Sequence, residues 1–300
     1  PSIAVMTNID REHLEAYGSF DDLRQAFVDF ANKVPFYGAV VACADDPELA
    51  GVLPRLTRRV ITYGIDTPDA AIRAEQVTLE GFGARCTVRR RHVLADGSDE
   101  LLGSLELQVP GRHSVANALA AVAVGLELDV PFRRIAEALG EFRGAERRFQ
   151  HAGTVGGVTV VDDYGHHPTE IEAVVAAARA ARPARLVLVF QPHRYTRTRD
   201  LMREFGDALA AVDEVVLTDI YPAGEEPITG VTLDALAGAI NARRTEPVHL
   251  VRAIGDVPGA VAGLVREGDL VLTLGAGSIG GVAARLVAAL EARVAGKAGT

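Results

Sequence analysis

Short apolar runs alternate with longer segments in which apolar residues recur every three or four positions. Runs of about four to eight apolar and β-branched residues are typical of strands, whereas the longer spacing is typical of helices. In the second half of the chain the pattern predicts strands over 154–161, 185–190, 214–218, 248–251 and 269–274, and helices over 168–181, 198–211, 232–242, 256–266 and 278–294. Strands that alternate with helices predict a Rossmann-like, doubly wound parallel sheet.

The first half begins in the same way and then changes. Its pattern predicts strands over 3–6, 38–43, 59–63, 72–79, 84–91 and 102–109, and helices over 20–33, 114–127 and 132–140. Turn residues at 81–83 and 95–98 separate the later strands, which are therefore expected to form an antiparallel patch. We predict an α/β protein with two domains, 1–150 and 151–300, because the arginine-rich segment 143–150 has the character of a link.

Composition narrows the range of functions. A length of 300 residues is more than one core usually fills, which predicts two domains. The apolar fraction of 48% is typical of a globular protein, and the net charge is −9. We expect no nucleic-acid partner, because the net charge is −9, and no membrane insertion, because the apolar runs are short. The two cysteines, Cys43 and Cys86, are too few for a disulfide framework. Because secreted proteins often carry such frameworks, a cytoplasmic location is expected. Since the chain opens directly on a strand without a starting methionine, we expect a piece of a longer protein.

Two polar motifs follow predicted strands and contain the strongest candidate chemistry. Residues 162–170 are DDYGHHPTE, and residues 191–199 are QPHRYTRTR. Open α/β sheets bind ligands at the carboxyl ends of their strands, and a core has no use for unpaired charges. The alternative to a binding site is a set of surface ion pairs. The candidate roles are ribose binding for Asp163, substrate orientation for Tyr164 and His166, and carboxylate binding for Arg194 and Arg197.

Two further motifs are ambiguous from the residues alone. His13 follows the first strand with carboxylates beside it, which suits either a ligand of a divalent metal or a helix-capping turn. Arg147 and Arg148 lie side by side near the domain boundary. A guanidinium pair suits a phosphate, but a solvated link is equally consistent with this composition.

His113 and Asn117 are four residues apart and share one face of a predicted helix, which Ser114 would cap. An asparagine side chain offers the donor and the acceptor that an adenine edge requires. Two capping side chains are the alternative interpretation.

Residues 275–280, GAGSIG, form a G-x-G-x-x-G pattern between the last predicted strand and the last predicted helix. Such a pattern is typical of dinucleotide-binding loops. No strand is predicted after this helix to carry a ribose-binding acid, so a dinucleotide is not expected. The loop can still approach a ligand closely through its backbone.

Taken in order, these motifs resemble those of the Mur ligases, and the resemblance extends over the whole chain. It rests on segments 7–14, 111–113, 117–121, 147–150, 162–170, 191–198 and 219–225. The resemblance implies the later part of a central ATP-binding domain, followed by a carboxyl-terminal domain that binds the amino acid. It also implies that the Gly-rich phosphate loop and a magnesium-binding glutamate lie upstream of Pro1.

The resemblance further implies an ATP-dependent, ADP-forming amide ligase of peptidoglycan precursor synthesis, with ATP and Mg²⁺ as cofactors. The later motifs are most similar to those of family members whose substrates are UDP-N-acetylmuramate and L-alanine. A member that attaches a recycled murein tripeptide to the same nucleotide sugar is one alternative, and a non-catalytic nucleotide-binding fragment is another. A monomer or weak dimer is expected.

Residue roles follow from the same resemblance. It makes His13 a magnesium ligand, His113 and Asn117 adenine contacts, Arg148 a contact of the nucleotide phosphates or ribose, and Asp163 a ribose contact. It places Tyr164, His166, Arg194 and Arg197 around the amino acid and the acyl phosphate.

Two positions depart from the family pattern. Some members carry a carbamylated lysine shortly after the metal-binding histidine, where this chain has Phe27 and Val28, so no such group is expected. Ser114 occupies a position at which members often carry a second asparagine, and part of the adenine contact is therefore expected to differ.

Overall fold

The computed structural model describes residues 1–11, 14–92 and 98–298. The chain divides into a first unit, residues 1–143, and a second unit that begins at Gly144. His13 and most of the turn predicted at 95–98 lie outside the described residues.

The first unit contains one six-stranded sheet. Its strands are β1 (Ile3–Met6), β2 (Ala39–Cys43), β3 (Val60–Gly64), β4 (Ile72–Glu80), β5 (Gly83–Arg91) and β6 (Asp99–Leu107), and they lie side by side in this order. β1 to β4 pair in parallel, whereas β4 to β6 pair antiparallel. The predicted antiparallel patch is therefore confirmed, and a short pairing of β4 with β3 makes it continuous with the parallel strands.

Helices cover this sheet and build the first core. They are α1 (Leu14–Tyr17), α2 (Phe20–Asn32), α3 (Pro47–Val52), α4 (Arg112–Glu127) and α5 (Phe132–Glu141). The apolar face of α4 buries Val115, Leu119 and Val122 in a cluster that also holds the fully buried strand residues of β2. None of the helices in the described part of the chain has both the length and the apolar character that a membrane span requires.

The start of α4 differs from the sequence prediction. The helix begins at Arg112 rather than at a cap formed by Ser114, because Gly111 adopts a φ of 92° that lets the chain turn into the helix earlier. The Ser114 hydroxyl lies inside the first turn and donates a hydrogen bond to the Pro110 carbonyl at 2.7 Å. The capping role predicted for Ser114 is therefore wrong.

The second unit contains a second six-stranded sheet. Its strands are β7 (Gln150–Val155), β8 (Val158–Asp163), β9 (Arg185–Phe190), β10 (Glu214–Leu217), β11 (His249–Leu250) and β12 (Asp269–Leu274). The order across the sheet is β11-β10-β9-β12-β8-β7, and each neighbouring pair is parallel except β7 with β8. The strand predicted over 154–161 is thus two strands of a hairpin. The turn is made by Gly156 and Gly157, both with positive φ.

Helices pack on both faces of this sheet, which confirms the doubly wound α/β prediction. They are α6 (Pro168–Ala180), α7 (Tyr195–Asp200), α8 (Met202–Ala210), α9 (Leu233–Asn241), α10 (Val257–Leu264) and α11 (Val282–Ala298). Leu186, Leu188 and Phe190 of β9 pack in one core with α6, α8 and α9, while Val187 and Val189 pack in another with α10 and α11. Because successive side chains of a strand point to opposite faces, β9 contributes residues to both cores. The single helix predicted over 198–211 is divided into α7 and α8 at Leu201.

The G-x-G-x-x-G loop is filled by side chains of its own unit. Gly275 has a φ of 146°, and an added Cβ would lie 2.9 Å from the Gln191 carbonyl oxygen. A Cβ on Gly277 would lie 2.6 Å from Tyr221 Cγ, and one on Gly280 would lie 2.7 Å from Arg147 Cζ. Each glycine of the pattern therefore provides space for a neighbouring residue, which accounts for the motif without a dinucleotide.

This packing predicts the effect of single methyl groups. Gly277→Ala should lower the free energy of unfolding of the second unit by about 1–3 kcal/mol, because the new Cβ overlaps Tyr221 and Gln191. Gly281→Ala is the matched control, since a Cβ there meets no atom within 4 Å. Urea unfolding followed by circular dichroism measures both variants. Equal stability of the two would show that the loop adapts and that close packing does not explain its glycines.

Candidate active site

The strands of the second unit end level with one another at one edge of the sheet. Leu274 at the end of β12 is paired with Asp163 at the end of β8 and with Phe190 at the end of β9, and Phe190 is paired with Leu217 of β10. The loops that follow these strands therefore emerge side by side, where open α/β sheets bind ligands. Both polar motifs of the sequence lie at this edge, in these loops and in the strand and helix ends beside them.

Four rings form a continuous row across three of these loops. Tyr164 meets His166 with ring centroids 5.4 Å apart, His166 meets His193 at 5.4 Å, and His193 stacks on Tyr221 at 5.5 Å with an interplanar angle of 17°. The loops after β8, β9 and β10 contribute these rings. The structure thus brings the predicted Tyr164 and His166 together with His193 and Tyr221, which the sequence analysis did not assign to the site.

His193 is a neutral imidazole at physiological pH. The pKa of His193 is lowered to about 4, chiefly by burial and then by the charges of His166, Arg197 and Arg194, while Glu225 opposes the shift. No group among the described residues hydrogen-bonds its buried Nδ1 atom. This ring therefore offers an acceptor or a single donor within a set of cations.

Arg194 and Arg197 approach His193 from the short helix α7. Their charges contribute to the low pKa of His193, which places both guanidiniums within electrostatic range of the ring row. Arg194 lies 3.8 Å from Glu225, and its side chain is 42% exposed. Arg197 is half-buried one turn further along the helix. Two cations beside a neutral imidazole suit an anionic ligand such as a carboxylate or a phosphate.

Glu170 fixes the start of α6 and the loop that carries His166. Its Oε2 accepts hydrogen bonds from the backbone N–H groups of His166 and His167 at 2.9 and 3.2 Å. Burial would raise the pKa of Glu170, but the His166 N–H and the charges of His166 and Arg148 lower it overall. The His166 ring lies 3.0 Å from the Tyr164 carbonyl oxygen through Nδ1, so the same segment orients the ring.

Asp163 is directed into the protein. It is 3% exposed, and its two carboxylate oxygens accept hydrogen bonds from the backbone N–H groups of Phe149 and Gly165, both at 2.7 Å. Burial raises the pKa of Asp163, although both of these hydrogen bonds oppose the rise. In this structure the side chain holds two loops together. The ribose contact assigned to it remains a prediction.

The two adjacent arginines have different surroundings. Arg147 donates to Asp162 at 2.9 Å and to the Gly275 carbonyl at 2.5 Å, and its guanidinium lies over the Tyr164 ring at 5.0 Å. Arg148 is 53% exposed and lies 3.3 Å from Glu170, which leaves it the better placed of the two for a phosphate. The sequence does not predict which arginine is turned inward, because the two residues are identical and adjacent.

The first unit contains the other predicted site. Asn117 lines a cavity of about 600 Å³ together with Thr7 and a mostly apolar set, Val5, Ala120, Ala121, Val124 and Gly125. A concave apolar surface with a few polar groups is typical of sites for planar ligands. His113 lies one turn earlier on α4 and is exposed, but it does not line the cavity. The described residues of the chain include no cluster of three or more potential metal ligands.

The burial of His193 predicts an acid-sensitive stability. In the unfolded chain its pKa returns towards 6.5, so unfolding takes up a proton between pH 6.5 and about 4, and stability falls as the pH is lowered through this range. His193→Phe keeps a ring on Tyr221 but cannot titrate. The stability of this variant should therefore fall less steeply than that of the parent between pH 6.5 and about 4. The exposed His151→Gln is the control. Urea midpoints measured against pH test this, and an NMR titration midpoint near 6.5 for folded His193 would contradict it.

Comparison with known proteins matches both units. A model of the Mur ligase middle domain matches residues 1–125, and a model of the Mur ligase glutamate ligase domain matches residues 147–277. The UDP-N-acetylmuramate–L-alanine ligase of Myxococcus xanthus is 47% identical over 291 residues, which cover 97% of this chain and 60% of that protein. The ligase of the same name from Burkholderia ambifaria is 48% identical over 295 residues, or 96% of this chain and 62% of that protein.

Solved structures match the whole chain in fold. The UDP-N-acetylmuramate–alanine ligase MurC of Thermotoga maritima has a TM-score of 0.76 at 26% identity, covering 98% of this chain and 60% of that one. A MurF ligase of the same organism, solved in complex with ADP, has a TM-score of 0.75 at 19% identity and covers 98% and 63%. A murein peptide ligase from Psychrobacter arcticus has a TM-score of 0.65 at 21% identity, covering 97% and 57%.

The chain spans about 60% of the length of the curated relatives it matches. Two Mur ligase domain models match it in succession and together cover most of its residues. The relatives are nearly half identical to it over almost its full length. On these grounds the chain belongs to the Mur ligase family.

Proposed function

We propose that this chain is part of an ATP-dependent, ADP-forming ligase that joins L-alanine to the lactyl carboxylate of UDP-N-acetylmuramate in the cytoplasm. The observation that carries the proposal is the gathering of Arg194, Arg197 and the neutral His193 at one sheet edge of the second unit. The names of relatives that are nearly half identical to the chain support the choice of substrates.

The proposed reaction has two steps. A carboxylate oxygen of the sugar attacks the γ-phosphorus of ATP, and ADP leaves, which gives an acyl phosphate. The alanine amine then attacks the acyl carbon, the C–O bond to phosphate breaks, and the nitrogen loses a proton. Both steps develop or transfer negative charge on oxygen, which fixed cations stabilise best where water is excluded.

In the second unit, Arg194 and Arg197 bind the carboxylate of alanine and the phosphate of the acyl phosphate. Each guanidinium can hold two oxygens of a planar or tetrahedral anion. Tyr164 and His166 form the wall of the same site, and their rings are held in contact with His193. Because His193 is unprotonated, it does not add a further charge that would repel the alanine ammonium group.

In the first unit, the Asn117 cavity fits an adenine ring, because its apolar walls suit a flat heterocycle and the amide supplies a donor and an acceptor. His113 is proposed to lie beside the ring. Arg148, which is an exposed residue of the second unit, is proposed to contact the phosphates or ribose. Asp163 reaches a ribose only if its present backbone hydrogen bonds are exchanged. The described residues include no cluster of three or more potential metal ligands, and His13 remains the proposed ligand of Mg²⁺.

A phosphate-release assay distinguishes the candidate functions. A protein extended to the full length of its relatives is supplied with ATP, Mg²⁺ and UDP-N-acetylmuramate, and either L-alanine or a murein tripeptide is added. Phosphate release that depends on L-alanine is the expected result. Release only with the tripeptide would identify a tripeptide-adding ligase instead. No release with either would leave a nucleotide-binding protein without this activity.

Arg197 gives a sharper prediction in the same assay. Arg197→Ala should lower kcat/KM for L-alanine on the order of 50-fold, the loss expected for a charged hydrogen-bonded contact, while the KM for ATP changes less than about threefold. Arg199→Ala is the matched control on the same helix, because Arg199 is 53% exposed and pairs with Asp200. Unchanged turnover of L-alanine by Arg197→Ala would remove this residue from the site.

A further inference from the structure

The helix that carries Arg197 begins without a cap of its own. α7 spans Tyr195–Asp200, and the residue at its N-cap position is Arg194, whose side chain makes no capping hydrogen bond. Arg194 also has a φ of 72°, in the left-handed region that a non-glycine residue seldom adopts. The first N–H groups of a helix require acceptors from elsewhere, and a strained start persists only where surrounding contacts hold it.

Glu225, from the loop after β10, supplies these contacts. Its Oε2 accepts a hydrogen bond from the Thr196 backbone N–H at 3.0 Å, and its Oε1 accepts one from the Thr196 hydroxyl at 2.6 Å. The same carboxylate lies 3.8 Å from the Arg194 guanidinium. Burial would raise the pKa of Glu225, but the Thr196 hydrogen bonds and the charge of Arg194 lower it overall, so the carboxylate is ionised.

The loop that holds Glu225 is itself tied to the start of α7. The Arg194 N–H donates to the Tyr221 carbonyl and the Tyr221 N–H donates to the Pro192 carbonyl, both at 2.8 Å. The Tyr221 ring stacks on His193. Ala223 and Gly224, with φ of 51° and 86°, turn the chain so that Glu225 points back at Thr196. Backbone, ring and carboxylate contacts therefore hold the two loops at one spacing.

We propose that Glu225 is a positioning residue for the amino-acid site: by capping α7 and pairing with Arg194, it sets the directions of the Arg194 and Arg197 guanidiniums toward the anionic groups of the substrate. This proposal rests on the proposed function, since it assigns Arg194 and Arg197 to that site. Glu225 itself touches no substrate. Its removal acts through the two arginines and therefore on binding of the amino acid, while the nucleotide contacts in the first unit are unaffected.

Kinetics of the full-length enzyme test the proposal. Glu225→Ala should raise the KM for L-alanine about tenfold, equivalent to about 1.4 kcal/mol, with the KM for ATP within about twofold of the parent. Glu225→Gln retains an acceptor but not the charge, so it should show a smaller rise. Glu226→Gln is the matched control, because Glu226 is exposed and adjacent. An unchanged KM for L-alanine, or an equal rise for all substrates, would overturn the proposal.

A measurement that needs no activity separates this proposal from the proposed function. In the 300-residue chain, Glu225→Ala should speed hydrogen exchange of the Thr196 amide on the order of fivefold, because loss of a cap costs about 1 kcal/mol. Glu226→Gln should leave that exchange unchanged. Faster exchange without any alanine-dependent activity in the parent enzyme would refute the proposed function and leave the cap standing. Unchanged exchange in Glu225→Ala would refute the cap, whatever the activity.

Discussion

The candidate active site depends on the insertion of β12 between β8 and β9. This strand is the last among the described residues, and its pairing sets Leu274 level with Asp163 and Phe190. Buried polar contacts reinforce the alignment: Thr273 donates to Asp162 at 2.6 Å, and Gln191 accepts from Ile279 N–H at 3.0 Å. Without β12, the loops after β8 and β9 would have no common edge, since these two strands do not pair directly.

The net charge at this edge of the sheet depends on the burial of its side chains as well as on which residues are present. Two arginines and two histidines lie close together, yet the pKa of His193 is lowered to about 4, and Glu225 lies beside Arg194. The guanidiniums of Arg194 and Arg197 keep their positive charge at every physiological pH and present paired donors. The His193 imidazole contributes shape and hydrogen-bonding capacity instead of charge, which is consistent with the proposed binding of an amino acid.

Glycine patterns require a structural context before they indicate a ligand. The 275–280 loop has the spacing of a dinucleotide-binding loop and follows a strand, but Gln191, Tyr221 and Arg147 occupy the space that its glycines leave. The same three residues lie in or beside the candidate site. The glycines of the loop leave space for these side chains, which pack against its backbone. This close packing is enough to explain why the loop is rich in glycine.

The sequence alone determined the α/β class, most strands and helices, and the position of both polar motifs after strands, because these features depend on residues close together along the chain. The family resemblance predicted roles for Tyr164, His166, Arg194 and Arg197, and these roles remain predictions. Tertiary structure alone decided which of two adjacent arginines turns inward, that His193 is half-buried with a lowered pKa, and that Glu225 caps α7. The partners in these contacts are distant in sequence, 128 positions for Arg147 with Gly275 and 29 for Thr196 with Glu225. The spacing of apolar residues predicts which face of a helix or strand is buried. It does not predict which side chain, distant in sequence, contacts that face.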